Sequence, residues 1–153
     1  MYGTSAQFAF VLFSSVKGQV CMEEEQFEDA VRCFTKAINL DPKHIDYYTQ
    51  RGEAFMRLCD YQSAILNYKK ACILDPDNPQ HYNRLAFIYY FYGQCLFDQK
   101  LFPEALESFS RAAEMRPEIV GYHMRRYEHT VFAFYQPIAH FCASVKRRQS
   151  QLL

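Results

Sequence analysis

One pattern recurs along this chain at a repeat pitch: alanine, three residues, an aromatic, two residues, alanine. It occurs at Ala30, Phe34 and Ala37, at Ala64, Tyr68 and Ala71, and at Ala105, Phe109 and Ala112. Offsets of four and three place each trio on one stripe of an α-helix. Alanine on such a stripe lets a neighbouring helix approach closely, and the aromatic ring fills the space beside it. Each helix is predicted to stop before a proline, at Pro42, Pro76 and Pro117, because the residue preceding proline is pushed towards extended geometry. The first two copies are 34 residues apart, as Ala30 and Ala64 and again Pro42 and Pro76 show, and Ala105 follows Ala64 by 41.

Upstream of each of these helices the pattern predicts another, carrying one glycine: Gly18, Gly52 and Gly93. In the second unit Tyr48, Ala54 and Phe55 line a face towards the partner helix, Gly52 permits close backbone contact, and Cys59 and Asp60 form the turn. A helix hairpin of this kind cannot hide its apolar face alone, and stacking against the next hairpin supplies the cover. The seven extra residues of the third unit fall near Pro79 to Leu85 if Gly93 keeps its register. Seven residues are nearly two turns and rotate the helix face by only about 20°, so a lengthened first helix is expected there and no bulging loop.

Half the residues are hydrophobic and 22% are charged, which is enough apolar material for a continuous core and excludes wholesale disorder. Basic and acidic side chains balance at 17 each, without the basic excess of a nucleic-acid binder, so no nucleic-acid partner is expected. The longest unbroken apolar run, Leu85 to Tyr92, is eight residues. A spanning helix needs about 20, which excludes a membrane span. The apolar start around Phe8 to Phe13 has no preceding basic residue and is not read as a secretion signal. Six cysteines, at 21, 33, 59, 72, 95 and 142, form no C-x-x-C. They are read as small buried apolar residues of a reducing, intracellular setting, with the cytoplasm as the expected compartment. No phosphate-binding loop, nucleophile elbow or His-Glu-x-x-His pair occurs, and His44, His81, His123, His129 and His140 lack ligand spacing. Neither catalytic residue, metal nor cofactor is therefore expected, and Glu23-Glu24-Glu25 is read as a solvated face.

Gly52, Tyr61, Ala64, Tyr68, Ala71 and Pro76, at a 34-residue period, resemble the tetratricopeptide repeat signature. The resemblance covers roughly Val11 to Pro117 and implies an all-α fold, an α-solenoid of about three helix hairpins with a degenerate C-terminal helical cap. The expected division is an N-terminal segment 1–10, repeats over 11–44, 45–78 and 79–119, and degenerate or capping helices over 120–153. Ser14, Lys17 and Cys21 depart from the large apolar groups usual in the family, which leaves the first helix weakly specified. In the tail, Ile138, Phe141, Cys142 and Val145 give an amphipathic pattern suited to capping the stack, and Lys146-Arg147-Arg148 reads as a solvated helix end.

Carried over by position, the resemblance implies an inner wall of first helices that takes up a peptide segment or helix of a partner protein. Asp46, Thr49, Gln50, Glu53, Met56 and Arg57 of the second unit would line it, with Phe87, Tyr90, Gln94, Phe97 and Asp98 of the third and Leu12, Ser15, Gln19, Met22 and Glu23 of the first. Ala30, Phe34, Ala37, Gly52, Ala64, Tyr68, Ala71, Gly93, Ala105, Phe109 and Ala112 would form the core. The eight aromatics between Tyr82 and Phe102 are open to two readings, a recognition surface or packing within the enlarged third hairpin. Family members that bind chaperone tails hold terminal carboxylates with Lys, Asn and Arg. The matching places here hold Ser15, Gln19 and Gln50, with Phe87 or Gln80 and Phe91 or Arg84 in the third unit according to register, so that at most Arg84 could serve and that role is disfavoured. The alternative to a ligand-binding scaffold is a structural or self-associating segment of a longer superhelix.

Overall fold

The computed structural model describes residues 5–132; the amphipathic and basic elements expected after Ile138 lie outside them. Its named helices are α1 (Ser5–Glu23), α2 (Phe27–Leu40), α3 (Ile45–Arg57), α4 (Tyr61–Leu74), α5 (Pro79–Asp98) and α6 (Phe102–Met115), and residues 120–132 are also helical. There is no strand among the described residues. The chain forms two compact units, Met1–Phe91 and Tyr92–Leu153.

In the first unit α1 pairs with α2, α2 with α3, and α3 with α4. The second helices of all three hairpins bury equivalent residues. Ala30, Cys33, Phe34, Ala37 and Ile38 of α2 correspond to Ala64, Asn67, Tyr68, Ala71 and Cys72 of α4, and to Ala105, Ser108, Phe109, Ala112 and Ala113 of α6. Phe34 and Phe109 are fully enclosed; burying such a ring contributes about 1.5–3 kcal/mol. Each ring lies on the glycine of its own hairpin. A Cβ on Gly18 would stand 2.7 Å from the Phe34 ring, one on Gly52 2.8 Å from Tyr68, and one on Gly93 3.0 Å from Phe109.

The hairpin turns share one hydrogen-bonded design. Glu25, Cys59 and Lys100 take left-handed backbone angles, with φ of 59°, 58° and 64°. The next amide in each turn bonds back five residues, Gln26 to Cys21, Asp60 to Phe55 and Leu101 to Leu96, at 2.8–2.9 Å. The left-handed residue itself donates to Met22, Met56 and Phe97 respectively. This is the Schellman arrangement, which satisfies carbonyls left open at a helix end. Asp60 then caps α4, its side chain accepting from the Ser63 amide at 3.1 Å.

One boundary differs from the sequence reading. Helix α1 begins at Ser5, inside the segment 1–10 set apart above, because residues 5–16 contain neither proline nor glycine to stop it. The expectation of uniformly buried cysteines also needs correction. Cys21, Cys33 and Cys72 are buried, whereas Cys95 is half-buried and Cys59, in the turn between α3 and α4, is exposed. Helix α5 has 20 residues against 13 in α3, and the connections entering the two are equally long, so the inserted residues extend the helix.

Candidate functional site

Within the first unit the initial helices of the hairpins are linked side by side. Val11 of α1 packs against the buried cluster that holds Tyr47 and Tyr48 of α3, and burial holds the Tyr47 phenol above its ordinary range. Glu53 of α3 forms an ion pair with Arg84 of α5, a contact that also engages Tyr68 from α4. Burial works to lower the Arg84 pKa, but the bonds to Glu53 and Tyr68 outweigh it and hold the guanidinium above its usual value. The Arg84 guanidinium also lies 5.4 Å from the centroid of the Phe87 ring. Phe87 in turn meets Phe91 at a tilt, with centroids 4.5 Å apart, and Tyr90 meets Phe91 edge-on at 5.4 Å.

A second polar network lies deeper. Arg51 donates to Asn67 Oδ1 at 2.9 Å and to Thr35 Oγ1 at 3.0 Å, while the Asn67 amide donates to the Ser63 carbonyl at 2.8 Å. Burial lowers the Arg51 pKa, only partly offset by Tyr48. Because buried polar groups are costly unless bonded, this network pins α3 between α2 and α4 and is a packing device. The repeat pattern gave no signal for it: Lys17 and Tyr92 stand at the places equivalent to Arg51.

The residues nominated for the inner wall meet different fates. Asp46 is exposed, and its backbone carbonyl accepts the Thr49 hydroxyl at 3.0 Å. Gln50 and Met56 are half-buried, and the Gln50 Oε1 is buried without a hydrogen-bond partner. Arg57 turns towards the neighbouring hairpin, 3.6 Å from Glu25 and 4.7 Å from the Phe27 ring centroid. Phe87 is exposed, and Tyr90 half-buried beside it. In the second unit the Gln94 amide donates to Asp98 at 3.1 Å. Phe97 is half-buried, its ring packing against His129 at 3.9 Å, Phe102 at 5.3 Å and Phe132 at 5.6 Å. All eleven positions nominated for the core are buried.

The sequence reading overlooked Phe91, which completes the exposed aromatic step with Phe87, and His129. The latter is buried between Phe97 and Phe109, with its Nε2 unpartnered. Burial, then Arg125, lowers the His129 pKa, against the opposing pull of Glu128 and Asp98.

With this geometry in place, comparison with known proteins defines the class. A TPR-repeat family model matches residues 18–58 and 60–90, and a tetratricopeptide-repeat model matches 87–118. The chain belongs to the tetratricopeptide repeat family, and its fold is the all-α solenoid of that family. It is similar to tetratricopeptide repeat protein 16 of Homo sapiens, with 47% identity over 102 residues, 67% of this chain and 12% of that protein. The corresponding protein of Mus musculus is 41% identical over 109 residues, 71% of this chain and 14% of its own length. The chain thus spans about an eighth of the length of these two relatives. Among solved structures, the Arabidopsis OM64 TPR domain matches with a TM-score of 0.55 and 25% identity, covering 80% of this chain and 98% of that domain. No helix among the described residues is long and apolar enough to cross a membrane.

Proposed function

We propose that this chain is a non-catalytic scaffold that holds a segment of a partner protein against α3 and residues 79–91 of α5. The observation that carries this reading is the aromatic step on α5. Phe87 and Phe91 are 37% and 39% exposed although their rings touch each other, and Arg84 lies over the first ring. Rigid rings beside a half-buried cation have the composition of an interface anchor. This favours the recognition reading for Phe87 and Phe91, while the packing reading holds for Phe97. The preferred ligand is an apolar or aromatic segment. An acidic peptide tail is disfavoured because Glu53 already neutralises Arg84, the candidate clamp cation. Free cysteines, three of them buried, support an intracellular setting.

Selection from a peptide-display library with the whole chain as bait tests the proposal. Enriched peptides should be rich in apolar side chains, and Phe87→Ala with Phe91→Ala should weaken their binding by roughly tenfold or more while helicity is kept. Enrichment of acidic carboxyl-terminal peptides, or binding indifferent to both substitutions, would overturn it.

A further inference from the structure

The outer face of α4 differs from that of the other second helices. Its exposed positions are Gln62, Leu66, Lys69, Lys70 and Ile73. Leu66 and Ile73 are 67% and 72% exposed, and no other large apolar side chain between residues 21 and 119 exceeds 42%. Seven residues, nearly two turns, set the two on one line of the helix about 10 Å apart. At the equivalent places α2 carries Arg32 and Asn39, and α6 carries Glu107 and Glu114, all exposed. On α2 this register stays in solvent although a whole hairpin follows it. Stacking of hairpins therefore does not cover it, and the exposure of Leu66 and Ile73 is set by the face itself, whatever lies before or after in the array. Charge differs as well. The exposed face of α2 balances Glu28 and Asp29 against Arg32 and Lys36, and that of α6 sets Glu104, Glu107 and Glu114 against Arg111. The exposed face of α4 has two lysines and no acid. The acids at its ends are engaged, Asp60 with the Ser63 amide and Asp75 with His81. Neither lysine is ion-paired among the described residues, and Lys69 lies 5.9 Å from the centroid of the Tyr89 ring.

We propose that the outer face of α4 docks an acidic amphipathic helix of a partner protein, its apolar stripe covering Leu66 and Ile73 and its carboxylates meeting Lys69 and Lys70. Two arguments select that occupant. The backbone groups of α4 are bonded within the helix, so this face offers no main-chain partners. A segment buried against it must satisfy its own backbone, which a helix does and an extended peptide does not. The charge is a local surplus of two cations without acids, which an acidic helix complements. A membrane surface is disfavoured, because recognition of anionic lipid takes a cluster of roughly four to eight basic residues and the whole chain is formally neutral. The contact is separate from the proposed peptide wall, which uses α3 and α5.

Panning a display library of helix-forming peptides tests the proposal. The bait is the whole chain carrying Phe87→Ala and Phe91→Ala, so that the wall on α5 contributes nothing. Enriched peptides should carry apolar residues at three- and four-residue spacing and a net negative charge. Leu66→Glu with Ile73→Glu in that bait should weaken their binding by roughly tenfold or more, with unchanged far-ultraviolet helicity because both side chains are exposed. Lys69→Glu with Lys70→Glu should turn the selection towards basic helices. Vesicles of phosphatidylserine and phosphatidylcholine should not retain the chain. Failure to enrich any helix, enrichment of basic ones, binding indifferent to Leu66→Glu with Ile73→Glu, or vesicle retention that those two changes abolish would each overturn the proposal.

Discussion

The ring of Tyr68 lies across the backbone of Gly52 so closely that a methyl group there would stand 2.8 Å from its Cε2 and 3.3 Å from the Cβ of Asn67. The same relation joins Gly18 to Phe34 and Gly93 to Phe109, each pair 16 residues apart. A glycine in mid-helix costs helix propensity, and here that loss is exchanged for contact between an aromatic face and a bare backbone.

Gly52→Ala should therefore destabilise the chain by about 1–3 kcal/mol, because overpacking against a caged ring exceeds the gain in helix propensity. Gly121→Ala is the control. Nothing lies within 4 Å of its added Cβ, and residue 121 is helical, so a gain of about 0.5–1 kcal/mol is expected. Denaturant titration of the two variants should give opposite signs.

Phe34→Ala and Phe109→Ala each empty a fully enclosed site and should cost about 3–5 kcal/mol. Phe91→Ala, at a 39% exposed ring, should cost well under half of that. Thermal unfolding that ranked Phe91 with the other two would place it in the core and remove it from the proposed wall.

Three hairpin turns use non-glycine residues where glycine is the least strained choice. Glu25→Gly, Cys59→Gly and Lys100→Gly should each stabilise by about 1 kcal/mol. Glu25→Gly also removes the exposed ion pair with Arg57, so its gain should be the smallest of the three. Urea midpoints for the single and triple variants check both statements. Loss of stability at any one of them would show that its side chain does more than occupy a turn.

Acid should loosen the second unit through His129. The fold lowers its pKa below the ordinary 6.5, so the folded state binds fewer protons than the unfolded chain on the acid side. Stability is then fully present above pH 6.5, falls as the pH drops below that value, and levels off below the folded pKa. The facing charges are Arg125, Glu128 and Asp98. Replacing His129 with Phe should flatten the melting temperature between about pH 7 and pH 5.5, since no proton is then taken up at the site.

The hairpins, their second-helix stripes and the glycine of each first helix were legible in the sequence because each depends on local spacing, whereas which ring lies on each glycine was not. Periodicity also placed the seven inserted residues of the third unit, since whole turns leave a helix face unchanged. The aromatic-rich stretch from Tyr82 to Phe102 was legible only as an ambiguity. Phe87 and Phe97 sit in one helix with similar side chains, and nothing local separates an exposed ring from a packed one.

Sequence alone thus determined that the chain must fold as stacked helix hairpins, because no other arrangement buries the stripes at Ala30, Ala64 and Ala105. Tertiary structure decided which apolar faces found cover. Phe97 is packed by His129 and Phe132, Arg84 is neutralised by Glu53 from 31 residues away, and Phe13 is left open where Tyr47 is closed. The reason is physical: a helix's own pattern sets which sides are apolar, but burial and charge pairing are properties of whatever segment lies against them, and that segment is distant in the chain.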